Sequence, residues 1–207
     1  MQFRITIILI SIFIATPLAF LAASTIIDKQ VLFSSQAPLG NWEDPRQQDG
    51  CEEAVVLMAM SWLQGWEEMS AEKWRDLIIE LSDFQLENYG EYRDASLEDI
   101  KERLFEDYFS YYNTRIEANI QIEDIIYELE KGNIVLVPVD GQKVFNPNFS
   151  GIGPERHMIL IKGFDYENQQ FITHDPGTRN GKDYRYDIDI LFEAIRPYKT
   201  GFHEPFD

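Results

Sequence analysis

The spacing of apolar residues predicts helices in the first half of the chain. From Cys51 to about Gly65, apolar side chains recur at the period of a helix with one buried face: Ala54, Val55, Met58, Ala59, Trp62 and Leu63. Two more helices are predicted to begin at Ser70 and Ser96, and a further helix ends at Gly132. Residues 36–50 contain several prolines and glycines and are predicted to be irregular.

The second half of the chain has the pattern of strands. Three apolar runs predict buried strands: 133–140, 157–165 and 169–175. The last two are joined by a short turn at Glu167-Asn168, and an earlier strand is predicted around Val31 and Phe33, which alternate with polar neighbours. A final helix stops at Pro197. Because the helices and the antiparallel strands are segregated along the chain, we expect an α+β fold in a single domain, 25–207.

The first 24 residues are much more apolar than the rest of the chain. Residues 5–23 are almost wholly apolar and follow Arg4, the only charged residue before position 25. A basic start, an apolar middle and the small residues Ala22-Ala23-Ser24 fit a signal peptide. The run is also close to the roughly 20 residues that span a bilayer. We therefore expect residues 1–24 to be a signal peptide or an N-terminal membrane anchor, and the protein to be exported or held in the cell envelope.

Composition narrows the classes of partner. The formal net charge is −18, with 36 acidic and 18 basic side chains, which argues against binding to nucleic acid. A single cysteine, Cys51, excludes an intramolecular disulfide and a cysteine-based metal cluster. Cys51 is therefore either a small buried apolar residue or a reactive thiol.

The position of Cys51 favours the reactive thiol. It follows Asp49-Gly50 at the predicted start of a helix, where unpaired N–H groups and the helix dipole stabilise a thiolate. Glu52 and Glu53 would oppose this effect unless both carboxylates point away from the sulfur.

A histidine and an acid can complete such a site. Of the three histidines, His203 lies in the polar tail, whereas His157 opens one predicted strand and His174 closes the next, just before Asp175. Pairing of the two strands about a turn centred near residue 166 would bring His157 and Asp175 together. Asp175 is therefore predicted to orient the imidazole of His157, and His174 is either a supporting group or a bystander.

An acyl-transfer site also needs donors for the developing oxyanion. The backbone N–H of Cys51 is one candidate. The second is a glutamine side chain, for which we favour Gln36, at the end of the first predicted strand, over its rival Gln48 near the cysteine.

The segments "VLFSSQAPLGNW", "QQDGCEEA", "GPERHMILIKGFD" and "FITHDPGTRNGKDYRY" resemble the bacterial peptidase family thirty-nine-like proteins. These are papain-like cysteine peptidases related to the double-glycine peptidases that mature bacteriocins. The resemblance implies a papain-like fold and hydrolysis of peptide bonds through a thioester, with Cys51 as nucleophile, His157 as base, Asp175 as third member, Gln36 near the oxyanion and no cofactor. Many relatives have Cys-Gly where this chain has Cys51-Glu52, and the segment between Gln36 and Cys51 is longer than usual.

Three functions remain open at this stage. The first is an exported or membrane-tethered cysteine peptidase that acts as a monomer on peptide or protein substrates. The second is an amidase of cell-wall peptides. The third is a catalytically inactive papain-like module that binds peptides or envelope proteins.

Overall fold

The structure is a computed structural model that describes residues 25–200. The predicted signal peptide or membrane anchor, 1–24, lies outside these residues. Six α-helices and one π-helix are described: α1 Pro45–Gln48, α2 Cys51–Gln64, α3 Ala71–Tyr89, α4 Leu97–Asp99, the π-helix Ile100–Tyr108, α5 Ile122–Glu130 and α6 Ile188–Ala194. The strands are β1 Ile26–Asp28, β2 Val135–Val139, β3 His157–Asp165, β4 Gln170–His174 and β5 Tyr184–Asp187.

All five strands form one antiparallel sheet with β3 in its middle. On one side β3 pairs with β2 along its first half and with β1 along its last residues, and on the other side it pairs with β4, which pairs with β5. The helical first half and the antiparallel second half confirm the predicted α+β class.

The sheet separates two apolar clusters because side chains alternate along β3. Met158 and Leu160 pack in the cluster built mainly by α2, α3 and the π-helix, whereas Ile159 and Ile161 pack in the cluster that contains residues of α5 and α6. All nine residues of β3 are buried, so the strand lies between two helical layers and its backbone is held on every side.

Helix α2 brings Cys51 against the sheet. A turn through Gly50 precedes it, and a Cβ atom there would lie only 2.4 Å from the carbonyl oxygen of Arg46, so this position needs glycine. The helix ends at Gly65, which has a positive φ of 64°. Its residues from Cys51 to Ser61 are all buried, which anchors Cys51 firmly.

Three elements differ from the sequence-based expectation. The first strand is Ile26–Asp28 and not the segment around Val31 and Phe33: Val31 is buried and Phe33 packs edge-on against the His174 ring, but neither residue lies in a strand. Helix α1 lies within the segment predicted to be irregular. The predicted helix from Ser96 becomes π-helical after Asp99, and β5 was not predicted. Within residues 25–200, no helix combines the length and apolar character needed to cross a membrane.

Candidate active site

The structure brings His157 and Asp175 into direct contact. The His157 Nε2 atom lies 2.7 Å from Asp175 Oδ1, and both side chains are almost fully buried. An ionised carboxylate only accepts hydrogen bonds, so Nε2 carries the proton of this bond. The other ring nitrogen, Nδ1, is thereby left to exchange protons with a reacting group.

The strand register differs slightly from the prediction. Residues of β3 and β4 pair about a turn centred between residues 167 and 168, and a bulge lies between Ile161 and Gly163. His157 would thus face Gly177 across the ladder, and the Asp175 side chain reaches the imidazole from two residues away. The predicted centre at 166 was wrong because the turn between the strands, 166–169, lies further along the chain, and the bulge in β3 offsets only one residue of this shift.

Asp175 stays charged in the interior because several donors surround it. Its Oδ1 also accepts the backbone N–H of Gly177 at 2.9 Å, while Oδ2 accepts Asn146 Nδ2 at 3.0 Å and the Tyr186 hydroxyl. Burial raises the pKa of Asp175, but the charge and hydrogen bond of His157, with the bonds from Tyr186 and Gly177, outweigh burial and hold the pKa below its ordinary value.

The imidazole is fixed in position by its neighbours. Phe149 packs edge-on against it with ring centroids 5.4 Å apart. Gly177 lies on the ring as well, and a Cβ at that position would come within 2.9 Å of His157 Cε1. The His157 ring is therefore held by an ion pair, an aromatic contact and a close backbone approach.

The Glu52 carboxylate does not point away from Cys51. The Sγ atom of Cys51 lies 2.9 Å from Glu52 Oε2, so the thiol donates a hydrogen bond to the neighbouring carboxylate. Burial, followed by the charge and hydrogen bond of Glu52, raises the pKa of Cys51 well above its ordinary value. The expectation of a thiolate stabilised at rest is therefore wrong, because Glu52 points at the sulfur and the helix start cannot offset burial.

The start of β3 faces the sulfur of Cys51. The backbone N–H of Met158, the residue directly after His157, faces the sulfur and slightly opposes the rise in the pKa of Cys51. Among the described residues the thiol bonds to Glu52 and the imidazole to Asp175, with no hydrogen bond between the thiol and the ring. The backbone next to His157 thus faces the sulfur, while the His157 ring bonds to Asp175.

Gln36 has a different contact from the one expected of an oxyanion donor. Its Nε2 donates to the carbonyl oxygens of Gln47 and Gln48, at 3.1 and 2.7 Å, which uses both N–H groups. Its own backbone N–H donates to Pro176, so Gln36 ties the loop before α2 to the segment that follows β4. The sequence predicted Gln36 at the end of the first strand, but the segment that precedes Gln36 is not a strand. Gln48, the rival candidate, lies on the surface at the end of α1.

His174 is a structural residue in this geometry. It is fully buried, its Nδ1 accepts the backbone N–H of Asp183, and its Nε2 donates to the carbonyl oxygen of Val31 at 2.9 Å. Burial lowers the pKa of His174, and its bond to Val31 ties the segment before Gln36 to β4. Within residues 25–200, no group of histidine, cysteine or carboxylate side chains could hold a metal ion.

A model of the Peptidase C39 like family matches residues 30–200. The chain belongs to this family. The match covers strands β2 to β5, α2 and every candidate site residue, so the described residues form a peptidase-like domain with a papain-like α+β fold. A comparison with curated proteins gave no match.

Four residues around this family's peptidase-like site escaped the sequence analysis. Asn146 and Tyr186 hold Asp175, Phe149 packs on His157, and Tyr198 bonds to Glu52. The sequence did carry a signal for Tyr186, because in "YRYD" two tyrosines alternate with polar residues in the manner of an edge strand, and the structure buries Tyr186 and partly buries Tyr184. The other three lie in irregular segments, where no periodic pattern marks a buried side chain.

Proposed function

We propose that this protein is a cysteine peptidase in which Cys51 attacks the peptide carbonyl, His157 moves the protons of the leaving amine and the attacking water, and Asp175 orients His157. The observation that carries the proposal is the buried His157–Asp175 ion pair, which lies one peptide unit from the N–H that faces the Cys51 sulfur. Family membership supports the same reaction class.

The proposed reaction has two steps. The S–H proton passes to His157 as sulfur bonds to the carbonyl carbon, and the C–N bond breaks as the resulting imidazolium gives its Nδ1 proton to the amine. Water then attacks the thioester, and His157 takes a proton from it and gives that proton to the sulfur as the C–S bond breaks. Asp175 stays charged throughout, because its four donors remain in place whichever proton state the imidazole adopts.

The oxyanion site belongs to the same proposal. The backbone N–H of Cys51 lies at the start of α2, where N–H groups have no partner within the helix. Both N–H groups of Gln36 are bound to carbonyl oxygens, which favours Gln48 as the second donor.

We also propose where the enzyme acts. The apolar run 5–23 supports export or tethering to a membrane, with 25–207 as the peptidase domain facing away from the cytoplasm. Peptides or proteins of that compartment are the proposed substrates, and the enzyme is proposed to act as a monomer.

Cleavage of a peptide mixture tests the activity. The full-length protein, in mild detergent, is incubated with quenched fluorescent peptides and denatured casein, and new termini are identified by mass spectrometry. We expect cleavage by the wild type, and a loss of about 100-fold or more in Cys51→Ala and His157→Ala. His203→Ala, outside the described residues, is the histidine control. Cleavage that survives Cys51→Ala would sink the proposal.

A second function is favoured by one observation. The Cys51 thiol is buried and bonded to a carboxylate that raises its pKa, which also suits a catalytically inactive module that binds peptides. Such a module would bind peptides without cleaving them, so no new termini would be found. The Cys51→Ala variant would bind the peptides as the wild type does. The same assay therefore separates the two functions.

A further inference from the structure

The loop that joins β2 to β3, residues 140–156, supports the candidate active site. Asn146 in this loop donates to Asp175 Oδ2 at 3.0 Å, and Phe149 packs edge-on against the His157 ring. The loop is therefore part of the wall around the histidine and its carboxylate partner, and not a remote connection.

The same loop exposes two large apolar side chains. Phe145 and Ile152 are each 75% exposed, more than any other large apolar side chain within residues 25–200. Phe145 lies directly before Asn146, and Ile152 lies three residues after Phe149. The exposed apolar residues thus alternate along the loop with the residues that contact the candidate active site.

The backbone holds Phe145 in this exposed position. Its φ of 51° is in the left-handed region, which glycine and asparagine adopt readily and a bulky residue rarely does. Its neighbours Val144 and Asn146 are both buried, so the chain is fixed on either side. Strained conformations of this kind cluster at binding sites. Phe145 therefore has two unfavourable features, strain and exposure, that the binding of a ligand would explain.

Ile152 is also presented by a defined backbone. Gly151 and Gly153 on either side of it have φ values of 63° and 94°. A Cβ atom at Gly153 would lie 2.8 Å from the carbonyl oxygen of Gly141, so the loop packs closely against itself just after Ile152. This close approach fixes the place from which the Ile152 side chain projects.

A second pair of exposed apolar side chains lies in the loop after Gln36. Leu39 and Trp42 are both exposed, and the backbone N–H of Gln36 donates to the carbonyl oxygen of Pro176. Two loops that carry exposed apolar residues are thus both tied to the segment 175–177. An extended chain that lies across this segment would meet apolar side chains on both loops.

The net charge of the protein narrows the choice of partner. The formal net charge of −18 opposes contact with an anionic lipid surface and with a second copy of the protein. An uncharged or basic peptide meets no such repulsion. Because the 140–156 loop borders the candidate peptidase site, a peptide substrate is the partner that charge and position both favour.

We propose that Phe145 and Ile152 are specificity-determining residues that bind a large apolar side chain of the peptide substrate, close to the bond that is cleaved. The proposal rests on the proposed function and names its substrate class. That class is uncharged or basic peptides with a bulky aliphatic or aromatic residue near the scissile bond. Neither Phe145 nor Ile152 takes part in the proton transfers.

Mapping of the cleaved bonds tests the substrate class with the full-length protein in mild detergent. Denatured casein is digested, and the residues on both sides of each cleaved bond are identified by mass spectrometry. We expect large apolar residues to be enriched within about three positions of these bonds. In a synthetic peptide that contains one such site, replacement of the apolar residue by serine should lower kcat/KM roughly tenfold or more, mainly through KM.

Phe145→Asn and Ile152→Ala test the two side chains. Asparagine tolerates the left-handed backbone of position 145, so Phe145→Asn removes the apolar side chain and keeps the fold. In the double variant, KM for the apolar peptide should rise about tenfold with kcat within about twofold, and the preference over the serine peptide should shrink to about twofold or less.

Tyr127→Ala is the matched control. Its side chain is also exposed, but it lies on α5, whose residue Glu130 bonds to Tyr166. Tyr166 follows the end of β3 that is remote from the candidate active site. We therefore expect Tyr127→Ala to keep the wild-type preference for apolar peptides.

Peptide binding separates this proposal from the proposed function. Cys51→Ala protein is titrated with a fluorescein-labelled peptide of Ser, Gly and Lys that has one central Phe, and with its counterpart that has Ser there. We expect the Phe peptide to bind about tenfold more tightly, and the double change at 145 and 152 to abolish this preference. Preferential binding without cleavage by the wild type would reject the proposed function and still support the apolar site.

Three results would overturn the inference. The first is cleavage at bonds without nearby apolar residues, or a preference that survives in the double variant. The others come from hydrogen exchange of the 140–156 loop, which the Phe peptide should slow. Slowing by phosphatidylglycerol nanodiscs but not by the peptide would assign the side chains to a membrane surface. Slowing that depends only on the protein concentration would assign them to a second copy of the chain.

Discussion

Asp175 and Glu52 show how neighbours decide the behaviour of two buried carboxyls. Asp175 accepts bonds from a histidine, a backbone N–H, an amide and a hydroxyl, and its pKa falls below the ordinary value in spite of burial. Glu52 accepts bonds from a thiol, a phenol and its own backbone N–H, and burial outweighs them and raises its pKa to about 7. One carboxyl is thereby suited to hold a charge permanently and the other to exchange a proton.

Tyr186→Phe tests the anchoring of Asp175. Because the folded-state pKa of Asp175 is lowered, its carboxylate stabilises the fold above its ordinary pKa of 3.8, and this contribution is lost as the pH falls through the folded-state value. Loss of the Tyr186 hydroxyl should cost about 1.5–3 kcal/mol at pH 7, and less near pH 3. Urea unfolding at both pH values measures this.

Tyr184→Phe is the control for that experiment. Tyr184 stacks beside Tyr186 with ring centroids 4.7 Å apart, and no hydrogen bond joins its hydroxyl to Asp175 within the described chain. An equal loss in the two variants, or a Tyr186→Phe deficit that does not shrink at low pH, would contradict the assigned role.

At the scale of elements, the spacing of apolar residues predicted the helices and strands that have long apolar patterns. Helix α2 and strands β3 and β4 were predicted from long apolar patterns, and these three elements carry Cys51, His157 and the approach to Asp175. The alternation of Val31 and Phe33 was mistaken for a strand: both residues lie against the rest of the fold, but the segment is held by the side chain of His174 and not by a ladder of strand pairing. The Glu52 side-chain direction and the tethering role of Gln36 depend on tertiary contacts that no local pattern encodes.

Gly163→Ala tests how the first strand is attached. Gly163 faces β1, and a Cβ there would lie 2.1 Å from the carbonyl oxygen of Ile27, which is backbone and cannot rotate away. We expect a loss of about 1–3 kcal/mol in the free energy of unfolding and faster hydrogen exchange at the β1 amides. Ile26→Ala, which shortens a side chain that is 40% exposed, should leave the exchange near the wild-type rate. Full protection of β1 in Gly163→Ala would show that the strand does not need this close approach.

For the whole molecule, the balance of charge predicts that stability declines on the alkaline side. The chain carries a formal net charge of −18, and two of its glutamates, Glu52 and Glu53, are buried next to each other at the start of α2. Burial is the main cause that raises the folded-state pKa of each above its ordinary 4.5. Their contribution to stability is therefore complete below about pH 4.5 and is lost as the pH rises through the folded-state values, opposite to the behaviour of Asp175.

Glu53→Gln isolates this effect, because it removes a buried charge without touching the sulfur. Its side chain can still accept the Gln85 Nε2 bond, which is 2.6 Å long in the wild type. At pH 8 the wild type must bind a proton or bury a charge in order to fold, so the variant should melt about 3 °C higher or more, whereas at pH 5 the two should melt within about 1 °C of each other. Glu68→Gln, at an exposed position, makes the same change in net charge and should show no such dependence on pH. A gain of equal size at pH 5 and pH 8 would mean that packing, and not ionisation of Glu53, limits the stability of this helix start.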